Sequence, residues 1–267
     1  MTDRAEFDSP RTRRFPKNPY KFLANEGLDR NLLLSQQLNQ EAQPSRVPMK
    51  KVYDMSNYFH YVLTGIADFL HFQQRFAGIH GFIHDFEGYA LLQLAAHGEG
   101  VGAIVEIGSF MGRSTAFLAA GSLRTGREKV FAIDHFRGSP ENQPGQQFSH
   151  YVLEKEGTTF RVFQANMKQF GLSEQVVPVP SDSAAAAQNW QSPIRLLFVD
   201  GDHSYESVRR DLSAWLPFVV NRGYVCFHDF GVAPGVTRFV QDLLQQDPTL
   251  REAINVQSLK ILQKTPG

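Results

Sequence analysis

The stretch Ala103-Ile-Val-Glu106-Ile107-Gly108-Ser109-Phe110-Met111-Gly112-Arg113-Ser114-Thr115, followed by Val130-Phe-Ala-Ile-Asp134, decides the fold. A short apolar run ends in a turn with a glycine at each end. A helix-forming segment follows, then a second apolar run closed by an acid. This is the order of a strand–turn–helix–strand unit that holds a nucleoside-containing cofactor. The glycines let backbone approach the ligand, and Asp134 stands at the distance of an acid that accepts from ribose hydroxyls. The turn lacks G-x-G-x-x-G, which argues against a dinucleotide. Glu106 lies inside the first run, where an unpaired carboxylate is costly. Its expected role is to accept hydrogen bonds from the turn or from a cationic ligand.

Downstream the pattern alternates. Strand-like runs at Ala103–Ile107, Lys129–Asp134, Val176–Pro180, Ile194–Asp200 and Tyr224–Phe230 are separated by helical segments at Gly112–Leu123, Gln146–Phe170, Ser183–Trp190, Tyr205–Val219 and Gly235–Gln246. Apolar strands alternating with helices predict an α/β protein, with a mostly parallel sheet covered on both faces. The tail, Ala253 to Gln263, alternates with period two and predicts an antiparallel edge hairpin. Upstream, Asn57–Phe76 and Phe86–Ala96 carry apolar residues at helical spacing. Residues 1–78 read as an N-terminal extension: polar and basic to Pro19, mobile or wrapped over a partner subunit, with a helix at Leu28–Leu38. Residues 79–267 read as the cofactor-binding domain.

Composition bounds the function. Lys+Arg and Asp+Glu balance at 27 each, so no polyanion-binding surface is indicated and nucleic acid is not an expected partner. The single cysteine, Cys226, excludes a disulfide framework and lies in an apolar run that favours packing. No stretch is long and apolar enough to span a bilayer, and no signal-peptide core follows the basic N-terminus. The expectation is a soluble cytoplasmic protein that forms a homo-oligomer.

Two further clusters carry chemistry. In the turn after the third strand, Pro180-Ser181-Asp182-Ser183, Asp182 is placed to accept from an exocyclic amine and Ser183 to cap the next helix. At the ends of the fourth and fifth strands stand Asp200-Gly-Asp202-His203 and His228-Asp229. Adjacent parallel strands bring these ends to one crevice. Asp202 capping the following helix is an equal alternative for that acid. The polar stretch Phe136–Gly145 reads as a lid loop, and the aromatic-rich region Tyr53–Phe86 as an apolar wall.

These motifs together, Val105-Glu-Ile-Gly-x-x-x-Gly-x-Ser-Thr115, Ala-Ile-Asp134, Phe198-Val-Asp200-Gly-Asp202-His203-Ser-Tyr205-Glu206 with Asp211 and Trp215, and Gly223-Tyr-Val-Cys-Phe-His228-Asp229, resemble the class I S-adenosylmethionine-dependent methyltransferases. The similarity is to the branch of macrolide-sugar and rhamnosyl O-methyltransferases and cephalosporin-hydroxylase-like proteins, and spans about residues 80–264. It implies a Rossmann-like, doubly wound sheet of seven strands with S-adenosylmethionine across the strand ends. It assigns to the cofactor Glu106, Gly108, Ser109, Gly112, Ser114, Asp134, His135, Asp182, Ser183 and Asp200, with Glu87-Gly88 close by. It implies a magnesium or manganese ion on Asp200 and Asp229, with His228 standing where relatives offer an oxygen ligand. His203, assisted by Asp200, is expected to be the general base that deprotonates a small-molecule hydroxyl, a sugar among the candidates. The alternatives are a nicotinamide-dependent oxidoreductase on a similar sheet and a non-catalytic ligand-binding descendant.

Overall fold

The computed structural model describes residues 55–143, 145–146 and 149–266. The expected helix at Leu28–Leu38 and the basic N-terminal segment lie outside them. Helix α1 (Met55–Phe76) and helix α2 (Asp85–His97) precede β1 (Ala103–Ile107), α3 (Arg113–Arg124) and β2 (Val130–Ile133). Then come α4 (Tyr151–Glu156), α5 (Phe160–Gln169), β3 (Val176–Val179), α6 (Ser183–Ala187) and β4 (Ile194–Val199). Helix α7 (Tyr205–Trp215), β5 (Val219–Phe227), α8 (Pro234–Gln246), β6 (Leu250–Val256) and β7 (Leu259–Lys264) complete the chain.

The seven strands form one sheet in the order β3-β2-β1-β4-β5-β7-β6. β1 to β5 are parallel, and β7 runs antiparallel to both β5 and β6. The doubly wound reading of the sequence is therefore what the chain builds. β1 and β4 are buried along their whole length, as strands covered on both faces must be. Their side chains alternate between two cores. Ile104, Leu196 and Phe198 pack with Phe76, Leu91, Phe117 and Phe163 on one face. Val105, Ile107, Leu197 and Val199 pack with Leu212, Trp215, Phe239 and Val240 on the other. Phe72 and Phe76 of α1 belong to the first core.

Several boundaries differ from the sequence reading, three of them for a clear local reason. The single helix expected over Gln146–Phe170 is two, because Gly157 caps α4 in the left-handed conformation (φ 66°). Helix α7 stops at Trp215, where Leu216-Pro217-Phe218 tightens to a 3-10 turn and β5 begins at Val219. The edge hairpin is longer than expected and turns at Gln257-Ser258, with Gln257 at φ 51°.

The register positions the site. Ile107 pairs with Ile133 of β2 and with Val199 of β4, and Val199 pairs with Phe227 of β5. The residues just past these strand ends are therefore neighbours. Gly108 N donates to Ile133 O (2.9 Å), Asp200 N to Ile107 O (2.8 Å) and His228 N to Val199 O (3.1 Å).

Candidate active site

A cleft of about 660 Å³ opens along these strand ends, a size suited to a cofactor with a small ligand. One wall is the turn between β1 and α3. A Cβ on Gly108 would run into the backbone carbonyl of Asp200, and one on Gly112 would meet Met167 Cε at 2.7 Å, so both positions require glycine. Phe110, between them, keeps a bulky side chain at φ 47°. Such a conformation is uncommon for a large residue. Its ring sits 5.7 Å from Phe82 and 5.9 Å from His80, and all three line the cleft. The loop carrying His80 and Phe82 is held by Arg113, which donates to Phe76 O and Ile79 O and pairs with Asp85 at 2.5 Å. Burial, with His150 and Arg113 adding to it, lowers the His80 pKa and favours the neutral ring.

Asp134 does something the sequence did not indicate. Its Oδ2 accepts from Ser109 N (2.9 Å) and Phe110 N (2.8 Å), and its Oδ1 from Phe136 N (2.6 Å). Three backbone donors take three of the carboxylate's roughly four acceptor sites and leave one, on Oδ1, for a ribose hydroxyl. In this arrangement Asp134 ties the β1–α3 turn to the start of the lid. His135 beside it lines the cleft half-exposed, its Nδ1 accepting from Arg137 N at 3.0 Å.

Glu106 serves the turn, as one of its two expected roles required. Its Oε2 accepts from Ser109 Oγ (2.7 Å) and from Thr115 Oγ1, while Oε1 has no partner among the described residues. Burial, only partly offset by the neighbouring hydroxyls, pushes its pKa up to about 7. A raised acid binds its proton in the fold but not in the unfolded chain between about pH 4.5 and 7. Stability on its account is greatest at low pH and declines as pH rises through 7. Glu106→Gln should therefore gain on the wild type above pH 7, by on the order of 3 kcal/mol at pH 9. Parallel pH–stability curves for the two proteins would show that Glu106 titrates as an ordinary carboxyl.

At the far end of the cleft the turn after β3 differs in detail from expectation. Asp182, not Ser183, caps α6, its Oδ1 accepting from Ala185 N (3.1 Å), and its Oδ2 lies 3.6 Å from Arg210. Ser183 Oγ instead accepts from Trp215 Nε1 (2.9 Å). Asp211, outside the expected site, lines this end while falling on the buried face of α7 with Val208, Leu212 and Trp215. Its Oδ1 has no partner among the described residues, and burial raises its pKa to about 6. The sequence carries one signal for it, the spacing of Val208, Asp211, Leu212 and Trp215 on one helical face; that its Oδ1 lacks a partner is not a sequence property.

The ionisable cluster lies at the ends of β4 and β5, where the sequence placed it. His203 Nε2 is 3.1 Å from Asp229 Oδ2, and its Nδ1 is 2.7 Å from Glu141 Oε1, on a 3-10 turn (Pro140–Asn142) of the lid. Asp202 leaves this group: its Oδ1 accepts from Ser204 N (2.8 Å) at the start of α7. Asp229 holds φ 57°, a strained value that turns its carboxylate back between the two histidines. His228 is buried, with Nδ1 3.0 Å from Asp200 Oδ1 and 3.3 Å from Asp229 Oδ2, and Nε2 3.1 Å from Glu87 Oε2. Burial opposes charge on this ring, but the three carboxylates outweigh it and hold the pKa well above the usual imidazole range. Glu87, which the resemblance places close to the cofactor, meets the cleft through His228. It accepts from His84 N, Ser258 N and Ser258 Oγ as well as His228, and despite burial these partners hold its pKa down to about 2.

This geometry corrects one expected metal ligand. A histidine binds a metal through a bare ring nitrogen, and both nitrogens of His228 face carboxylates. Among the described residues the groups that converge closely enough for an ion are Asp200, His203 and Asp229. One nitrogen with two acids is a poor match for magnesium, which prefers oxygen. The residues present do not fit magnesium, one of the two ions the resemblance implied.

Comparison with known proteins agrees with the fold. Residues 105–230 match a family described as a methyltransferase domain. The chain is 26% identical over 151 residues to the uncharacterized protein R132 of Acanthamoeba polyphaga mimivirus, covering 52% of this chain and 59% of that protein. It is 29% identical over 155 residues to the uncharacterized protein y4gI of Sinorhizobium fredii, covering 55% of this chain and 15% of that protein. The chain thus spans less than two thirds of the length of either relative. Among solved structures it resembles the O-methyltransferase NovP, with a TM-score of 0.55 at 20% identity over 70% of this chain and 83% of that one. It also resembles the SAH-bound methyltransferase PaMTH1 of Podospora anserina, with a TM-score of 0.53 at 11% identity over 84% and 100%. At such identities the likeness is one of fold. The family match over the strand-end motifs, residues 105–230, and the shared fold are thus what this chain has in common with known methyltransferases.

Proposed function

We propose that this chain is an S-adenosylmethionine-dependent O-methyltransferase acting on the hydroxyl of a small molecule, a sugar or another natural product. The observation that carries the reading is one cleft with a glycine turn on one wall and a histidine–carboxylate cluster at the neighbouring strand ends. The cofactor fits what the cleft offers. The backbone of the turn comes close at Gly108, where any side chain would collide. At the other end Asp182, Ser183 and Asp211 line the cleft, a set of polar side chains suited to an amine-bearing base. Ser109, Ser114, His135 and Asp200 line the space between. S-adenosylmethionine, when bound, supplies an electrophilic methyl group on a sulfonium.

On this reading the chain has two tasks. It aligns the acceptor oxygen, which an in-line displacement needs most, and it takes up the hydroxyl proton. His203 receives that proton at Nδ1 while Asp229 holds Nε2–H and fixes the tautomer. Nδ1 faces Glu141 in this structure, so the acceptor hydroxyl has to take the place of the Glu141 carboxylate. The aromatic rim of His80, Phe82 and Phe110 supports the apolar wall for the acceptor, and the polar lid covers the opposite side. A soluble, cytoplasmic homo-oligomer remains part of the proposal. No helix among the described residues is long and apolar enough to cross a membrane.

Calorimetry on the purified chain tests the reading. S-adenosylhomocysteine is expected to bind with a Kd of about 1–100 μM and NAD not at all, a separation of at least ~3 kcal/mol. Binding of NAD instead would transfer the chain to the oxidoreductases. Binding of neither would favour a descendant that has lost its cofactor.

A further inference from the structure

Helix α1 has two apolar faces, and the domain covers one of them. Its 22 residues span about 33 Å. Phe72 and Phe76 lie in the first core, and Phe69 stacks on Phe86 of α2 at 4.6 Å. Polar ties hold the helix in place. Asp68 Oδ2 accepts from Tyr89 Oη (2.8 Å) and Arg124 (2.7 Å), and Arg75 donates to Phe170 O (2.9 Å). Val62, Leu63, Ile66 and Leu70 fall at helical spacing on the neighbouring face, each between 40% and 64% exposed. Phe86, half exposed against Phe69, extends the strip. A helix draws most of its stability from packing its apolar surface, so a strip left in water calls for a cover. This one leaves on the order of 500 Å² of apolar side chain in water, at the upper end of what a monomer shows without a partner.

Charge selects the occupant. The only Lys, Arg, Asp or Glu of α1 are Asp68 and Arg75, both tied to the domain, and residues 55–67 have none. A helix lying on lipid carries Lys and Arg along its polar face, and α1 has one arginine, bound to Phe170. In a two-fold interface the same patch meets itself, so any charge on it would oppose its own copy. An uncharged strip is self-complementary, and interface cores are depleted of charge. Two copies meeting across it would bury about 1,000 Å², the lower bound for a stable, specific interface. We propose that the Val62–Leu70 strip of α1 packs on the same strip of a second copy of this chain, the helices antiparallel and Ile66, at the midpoint, near the two-fold axis. The C-terminal end of each α1 is fixed in its own core, so antiparallel pairing keeps the two domains at opposite ends. This pairing gives the homo-oligomer proposed above its surface, and rests on that part of the reading.

Sedimentation velocity on the full chain tests the pairing. At about 10 μM the wild type is expected to run as a dimer. Ile66→Glu sets two carboxylates against each other and should weaken dimerisation at least ~100-fold. Its S-adenosylhomocysteine affinity should stay within about twofold of wild type, because Ile66 does not line the cleft. A monomeric wild type would overturn the proposal together with the oligomer. If that monomer also floats with phosphatidylcholine vesicles, the strip belongs to a bilayer. A folded Ile66→Glu that stays dimeric would overturn the proposal alone, leaving the oligomer with another surface. Should Ile66→Glu fail to fold, cross-linking with a short bis-maleimide decides. The native cysteine, Cys226, is buried, so a cysteine introduced on the surface is the one that reacts. Ile66→Cys should give covalent dimers, and Ile254→Cys on the exposed edge strand β6 should not. The reverse result would move the interface to β6 and sink the idea.

Discussion

Replacing His203 by alanine is expected to cut turnover by ~10²–10⁴-fold while leaving S-adenosylhomocysteine affinity within about twofold. The expectation rests on where the ring stands. It follows the β4 end by three residues past Asp200, and Asp229 takes its Nε2 at 3.1 Å. Nδ1 is thereby directed to the cleft side, where Glu141 now meets it at 2.7 Å. His203 is about one-third exposed, so a ligand can reach it. No backbone group of the turn depends on the ring through a hydrogen bond among the described residues, which is why folding should survive its removal. The other histidine of the cluster, His228, has no nitrogen to spare for a substrate proton. Single-turnover rates with wild type and variant, alongside cofactor calorimetry, separate the cases. Lost cofactor binding or a lowered Tm would make His203 structural. Wild-type turnover would send the proton to solvent. Loss of the acid limb of the rate profile together with the rate would identify His203 as the titrating base.

How much of this was legible in the sequence depends on the range of the interaction. The strand ends were legible, because an apolar run bounded by Gly108, Asp134, Asp200 or His228 is a local pattern, and parallel pairing then places those residues side by side. Contacts between distant segments were not. Glu87 and His228 meet across 141 positions, and only the folded chain shows that this acid belongs to the histidine. Glu141 is one acid in a polar loop, with no spacing to mark it as the partner of His203. Asp134 is a different case. Its position was read correctly, but its partners are main-chain amides, which every residue has and no sequence pattern reveals. The long helix expected over Gln146–Phe170 broke at Gly157 because tertiary packing used the glycine's left-handed freedom as a cap, where propensity alone tolerated it.

Asp134→Ala is expected to produce the largest loss of stability in the site, about 3–5 kcal/mol. The carboxylate accepts three backbone N–H bonds, each charge-assisted and worth roughly 1.5–3 kcal/mol when made singly. They converge on one side chain, so the sum is not additive and the lower part of the range is the safer figure. Ser109 and Phe136 are buried, so water does not replace the lost acceptor freely. For a chain of this size the Tm should fall by roughly 10 °C. Cofactor affinity should fall with it, by at least ~tenfold, because the turn that approaches the ligand loses its tie to β2. Asp134→Asn separates the two consequences. Its amide oxygen can still accept from Ser109 N and Phe110 N, while its NH₂ meets Phe136 N–H donor to donor. An intermediate Tm with largely retained affinity would place the function of Asp134 in the turn. A wild-type Tm with lost affinity in both variants would return it to the ribose. Unchanged values for both would remove it from the site.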